Sequence, residues 1–431
     1  MQIQSAMQMQ AQIQAEWLAP SDVTPEQRAA EEWGERFDEL LEEVGSQFFS
    51  RSDLRHHAQE YVRSLLGGIT RSDSILPAAT ESGAGAFWVQ QHLLGRSIWD
   101  ADTLRDFTTR YVVEGLADGC GPGVLVLDET AFRKKGSASA GVARQYSEAL
   151  GGAVSCQIGV MASWSTQSGT ALVDRELYLP PDWDADPVRR RNAHIPDDVR
   201  HASKADLARR IVQRFRAQAP RGAAAGMWVV ADAQLGCDQA FCAFLLAQGI
   251  PHVVGVPPDH PVLPHPGWRR VSRLVQRYAE AEDWDRLAVG SDAVDTGPWE
   301  WWVRRIPSEP VPNAPTPEQA AARPGGGMAR WLVACRRSGD PQSQRYFIAR
   351  GPVHISLDDL AAVVAAWRHG RNALAGAGER CGLGAYRVRS WHGWYRHITL
   401  AQLAAGFLAV QAGGHSYGGG TPWEPAPAVR L

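Results

Sequence analysis

The chain has 431 residues, 44% of them hydrophobic and 21% charged, an ordinary globular composition with room for two or three domains. Its 44 Lys and Arg against 47 Asp and Glu leave a formal charge of −3, which excludes a global basic field, so any nucleic-acid contact has to come from a local patch. Six cysteines without a paired CxxC unit argue against a disulfide framework or a zinc site, and no run approaches the ~18 apolar residues of a membrane span. With no secretion-signal pattern at its start, the chain reads as a soluble, cytoplasmic protein.

Residues 1–20 open with MQIQSAMQMQAQIQ, a Gln/Met-rich segment with no core pattern and an expectation of disorder. From Pro25, Trp33, Phe37, Leu40, Leu41 and Val44 recur at i, i+4, i+7, i+8 and i+11, the spacing of an amphipathic helix. More helical text follows over 54–66, 84–94 and 103–116, so residues 21–117 read as a small helical domain. After the turn GCGPG, Val124-Leu125-Val126-Leu127 is a short buried strand with Asp128 at its end. Strands are expected over 154–162 and 169–178, and a helix over 204–218. A second buried run, 227–231, ends in Asp232, and is followed by a helix over 239–248 and a strand over 252–256. This order predicts an α/β fold over 118–256, a mixed sheet flanked by helices. Residues 257–352 carry Trp268, Trp284, Trp299, Trp301, Trp302 and Trp331 with many prolines, and read as a β-rich insertion with a flexible loop at 307–327. Helical text resumes over 357–377 and 400–410, within a unit spanning 353–412. The Gly- and Pro-rich tail, 413–431, is expected to be flexible.

Open sheets place ligand sites at the carboxyl ends of their strands, where Asp128 and Asp232 are expected. The text LDETAFRKKG adds Glu129 beside Asp128, then the cations Arg133, Lys134 and Lys135. A metal next to phosphate-binding cations is the composition that phosphodiester chemistry requires. A capping aspartate in a solvated charged loop accounts for the same letters.

The blocks LDETAFRKKG, GVARQYS, SCQIGV, DRELYLP, DPVRRRNAHIP, WVVADAQLG and GLGAYRVRSWHGWYRHITLAQLAAGFLAV, in that order, resemble the catalytic text of bacterial insertion-sequence transposases. The similarity is to the insertion-sequence seven-zero-one branch of the DDE superfamily and spans nearly the whole chain. It implies an RNase H-like fold, an N-terminal helical domain that contacts DNA, and a β-rich insertion between the second and third catalytic acids. It also implies DNA cleavage and strand transfer with Mg²⁺ held by carboxylates, two of which fall on Asp128 and Asp232. Its DNA-contact candidates are Arg133, Lys134, Lys135, Arg144, Arg189, Arg190, Lys204 and Arg396, and a homodimer is an assembly open to it.

The third acid does not carry over. Counted back from Gly382-Leu383 and Tyr386, the text AWRHGRNALAGAGERCGLGAY puts Arg371 at the family's Glu, Asn372 beside it and Gly378 at its Lys. The nearest following acid, Glu379, is eight residues on, about 12 Å along a helix. RSDSILPAAT, residues 71–80, likewise departs from the family's helical-domain text. The expectation is a transposase-like protein with impaired catalysis. A non-cleaving DNA-binding or regulatory protein, and an RNase H-like fold recruited to a non-DNA role, are the alternatives. His392 and His397 read as a packed helix entry, and the pair His56-His57 as surface.

Overall fold

The computed structural model describes residues 25–66, 91–117, 121–147, 149–262, 269–279, 284–287, 299–307 and 327–414. The Gln/Met-rich start, most of the 84–94 helix, residues 71–80, most of the 307–327 loop and nearly all of the tail lie outside them. Among the described residues no helix is long and apolar enough to cross a membrane.

The helices are α1 (Pro25–Phe48), α2 (Ser52–Leu66), α3 (Ala101–Gly115), α4 (Pro187–Asn192), α5 (Lys204–Gln218), α6 (Arg221–Gly226), α7 (Ala233–Gly236), α8 (Gln239–Ala247), α9 (Val271–Tyr278), α10 (Leu357–Arg380) and α11 (Trp391–Gly414). The strands are β1 (Val124–Arg133), β2 (Ala143–Ser147), β3 (Gly152–Thr166), β4 (Gly169–Leu177), β5 (Trp228–Ala231), β6 (His252–Val256), the short pair β7 (Pro261–Val262) and β8 (Arg269–Arg270), β9 (Asp285–Leu287), β10 (Trp299–Ile306), β11 (Met328–Arg337) and β12 (Asp340–Pro352).

Among the described residues ten strands form one mixed sheet, in the order β2-β3-β1-β5-β6-β12-β11-β10-β9, with β4 also paired to β3. β1, β3 and β4 are antiparallel, whereas β1-β5-β6 run parallel. Three antiparallel strands followed by parallel strands returning through helices, with helices on both faces, is the RNase H-like arrangement. The Trp-rich stretch continues the same sheet, because β12 pairs antiparallel with β6. Trp299, Trp301 and Trp331 sit on its α10 face, in one core with Val124, Val126, Trp228 and Val230.

Strand alternation decides which helix meets which residue. Leu125, Leu127, Val229 and Ala231 pack toward α5, whose Leu207, Ile211, Val212 and Phe215 are buried in the same core. Val124, Val126, Trp228 and Val230 pack toward α10, through Leu360, Val363 and Val364. The approach of α10 is close: a Cβ on Gly370 would meet Val126 Cγ1 at 2.6 Å. A larger residue there would push α10 off β1.

The third core layer joins the N-terminal helices to α11, whose Trp394, Ile398, Leu403 and Phe407 are fully buried. Trp33 and Phe37 of α1 stack around Phe407. His397 sits within this core as a structural group. Tyr61 OH donates to its Nδ1 at 2.7 Å, and its Nε2 lies 3.1 Å from the Gly382 carbonyl. Burial pushes its pKa down to about 4, so the ring is neutral at pH 7. Beside it, β4 carries a buried ion network: Arg214 forks onto both oxygens of Asp174 at 3.0 Å and reaches Glu176 at 2.6 Å. The DRELYLP block therefore has a packing role, since a buried carboxylate needs a partner of this kind.

Candidate active site

The parallel register brings the two aspartates together. Leu127 faces Ala231 as the last β1-β5 pair, so Asp128 and Asp232 follow on neighbouring strands, spaced about 4.8 Å apart as strands are. Asp128 shares its parity with Val126, so its side chain turns to the α10 face, whereas Asp232, just past the end of β5, caps α7 and feels Glu129 and Lys204. β1 does not end at Asp128 as its apolar run suggests. It runs on to Arg133, paired with β3 throughout, because the stretch Glu129 to Arg133 finds in β3 a ladder partner that the sequence does not reveal.

Local structure holds each carboxylate by one oxygen. Asp128 Oδ1 accepts from the Glu129 N–H at 2.8 Å. Asp232 Oδ1 caps α7, accepting from Gln234 N at 3.1 Å and Leu235 N at 3.0 Å. That turn is fixed by close backbone approach: a Cβ on Gly236 would lie 2.0 Å from the Gly255 carbonyl oxygen. Among the described residues, Oδ2 of neither aspartate accepts a hydrogen bond.

The electrostatics are those of crowded acids. Burial, and then the neighbouring Asp232, push the Asp128 carboxyl up to about 7, while the Arg371 guanidinium pulls it back. Asp232 is raised as well, by burial first and by Glu129, against the Leu235 N–H. Arg371, on α10 just past Gly370, is thus a charge that Asp128 feels. It is exposed, and lies over the Trp367 ring at 5.2 Å.

Glu129 has the opposite parity and turns to the α5 face. It forms an ion pair with Lys204 at the start of α5, and Lys204 also donates to Gln234 Oε1 at 3.1 Å. Ser203 caps α5, accepting from the Asp206 N–H at 3.0 Å. Ser203→Ala should destabilise the fold by about 1 kcal/mol in urea titrations; no change in midpoint would show that this cap does not anchor α5.

The cationic candidates fall into two groups. Lys134 lies over the Tyr386 ring at 3.5 Å. Arg189 stacks on Trp183 at 3.7 Å and donates to the carbonyls of Ser137 and Val142. Arg190 is buried against Asp184, Pro196 and Val199, and Arg396 donates to the carbonyls of Leu94 and Trp99. With Lys204, these guanidinium and ammonium groups are spent on internal contacts. Arg133, Lys135 and Arg144 are exposed.

Two carboxylates with a raised pKa are a donor pair that fits one divalent cation, since a dication would relieve the repulsion that raises them. Among the described residues no three His, Cys, Asp or Glu side chains gather as a metal site. On α10, Asp359 is engaged with Ser356 at the first turn and Glu379 is exposed near the last. A cavity of about 510 Å³ lies elsewhere, between Trp99, Asp102, Glu176, Arg210 and Trp391, and neither Asp128 nor Asp232 lines it.

No curated protein matches the chain. The pattern of the DDE superfamily endonuclease family matches residues 46–302, well over half of the sequence. The matched span contains Asp128, Glu129, Lys204 and Asp232 and stops before α10, which carries Arg371. With the RNase H-like sheet and the paired aspartates, this match establishes that the chain belongs to the DDE superfamily of endonucleases.

Proposed function

We propose that the chain is a transposase-like protein of the insertion-sequence seven-zero-one branch that engages DNA and is impaired in cutting it. The observation that carries this reading is Arg371. Asp128 turns to α10, and the charge that α10 contributes to it is positive where the resemblance calls for a carboxylate. Asp128 and Asp232 would hold one Mg²⁺ through their Oδ2 atoms. When bound, such an ion supplies charge stabilisation and activation of an oxygen nucleophile. Completing a two-ion site takes a further carboxylate, and Glu379 is about two helical turns from Arg371.

The residues themselves perform the other tasks. Asp232 is oriented by the α7 N–H groups, Glu129 is neutralised by Lys204, and Gly370 allows α10 to close over β1. The test pairs a gel shift with cleavage of supercoiled plasmid in Mg²⁺ or Mn²⁺. The expected outcome is a DNA shift at low salt, with nicking no faster than in Asp128→Asn or Asp232→Asn. Metal-dependent cleavage that those variants abolish would show an intact nuclease, and no shift of any DNA would favour a role away from DNA.

A further inference from the structure

We infer that the surface built from residues 134–144, 187–191 and 386–391 docks the phosphate backbone of duplex DNA, gripped by Lys135, Arg144, Arg191, Arg387 and Arg389. This rests on the DNA reading above and specifies where the duplex lies. Three segments distant in sequence are tied into one block. Ala140 N donates to the Arg389 carbonyl at 2.9 Å, and Gln157 bridges the Ala140 carbonyl to the Tyr386 hydroxyl. Arg189 fastens α4 to Ser137 and Val142, and Trp391 N donates to the Ala193 carbonyl at 2.8 Å.

The internal cations Lys134, Arg189 and Arg190 are the mortar of this block, and five others are left facing solvent. All five are exposed, and none of their side chains is held by an ion pair or hydrogen bond among the described residues. Residues 130–147 contain no Asp or Glu, nor do residues 380–412. Of the acids that precede α4, Asp184 and Asp186 are spent on Arg190 and on the Arg189 N–H, which leaves the exposed Asp182. A chain with net charge −3 therefore concentrates uncompensated positive charge on this face, which is what duplex phosphates recognise.

The experiment measures binding of the full chain to a fluorescent 30-base-pair duplex by anisotropy across a series of KCl concentrations. The variant is Lys135→Gln/Arg387→Gln/Arg389→Gln, with Arg216→Gln/Arg221→Gln as the control on another face. The patch variant should bind at least about 10-fold more weakly at low salt, and its log Kd against log [KCl] slope should fall by about 2 to 3, as loss of three phosphate contacts requires. The control should change neither. Circular dichroism should confirm that both variants fold, as expected for exposed positions. An unchanged affinity and slope in the patch variant, or equal losses in both, overturns the surface while leaving DNA binding intact. Failure of the wild type to bind any duplex at low salt overturns both the surface and the DNA reading.

Discussion

Arg371→Glu is expected to tighten divalent-cation binding by about 30- to 100-fold. A guanidinium taken at about 6 Å from a dication, at an effective dielectric near 20, repels it by about 5 kcal/mol, and an acid at that place attracts it. Arg371 is exposed, so solvent and salt screen most of this, and about 2 to 3 kcal/mol, or 30- to 100-fold, is the effect to expect. Calorimetric titration with Mn²⁺ and Mg²⁺ reads it directly, with Asp128→Ala as the variant that should lose the site. The wild type should show no more than one weak ion. Two tightly bound Mg²⁺ ions in the wild type would place the third carboxylate somewhere other than the Arg371 position. An Arg371→Glu affinity equal to wild type would mean that the side chain swings clear of the pair.

The second large effect is on stability. The Asp128 carboxyl is pushed from 3.8 to about 7, by burial first and then by Asp232. Between these values the folded state holds a proton that the unfolded chain has released. The stability gained from keeping that proton is therefore full near pH 4 and is lost as pH rises toward 7. Asp128→Asn keeps the neutral shape at every pH. In urea titrations it should match wild type near pH 4 and exceed it at pH 8 by roughly 2 to 4 kcal/mol. Millimolar Mn²⁺ should narrow the gap at pH 8 by stabilising only the wild type. A variant no more stable than wild type at pH 8 would mean that the two carboxylates are too far apart, or too well hydrated, to repel each other.

The sequence and the structure divide the work of locating this site. Helix α5 is legible to the residue, because its apolar spacing is regular and Ser203 caps it locally. The runs before Asp128 and Asp232 are legible as strands because they are buried on both faces. The extension of β1 to Arg133 is not, since its Glu129 and Arg133 read as loop until β3 pairs with them. The fate of the cations is equally hidden. Lys134 and Lys135 are adjacent letters, yet one lies on Tyr386, some 250 residues away in the chain, and the other faces solvent. Arg387 and Arg389 give no sign in the sequence that they sit beside Ala140.

By itself, then, the sequence determined the two acids and the strands that carry them, because local hydrophobic patterns and residue identity are written along the chain. Only the tertiary structure decided that Asp128 is buried beside Asp232 and within reach of the Arg371 charge, which raises its carboxyl. It also decided that Glu129 turns away to Lys204, and which positive charges remain free for a partner. Those outcomes depend on register, strand parity and long-range contacts, and a one-residue slip in any of them would send the same letters to the opposite face.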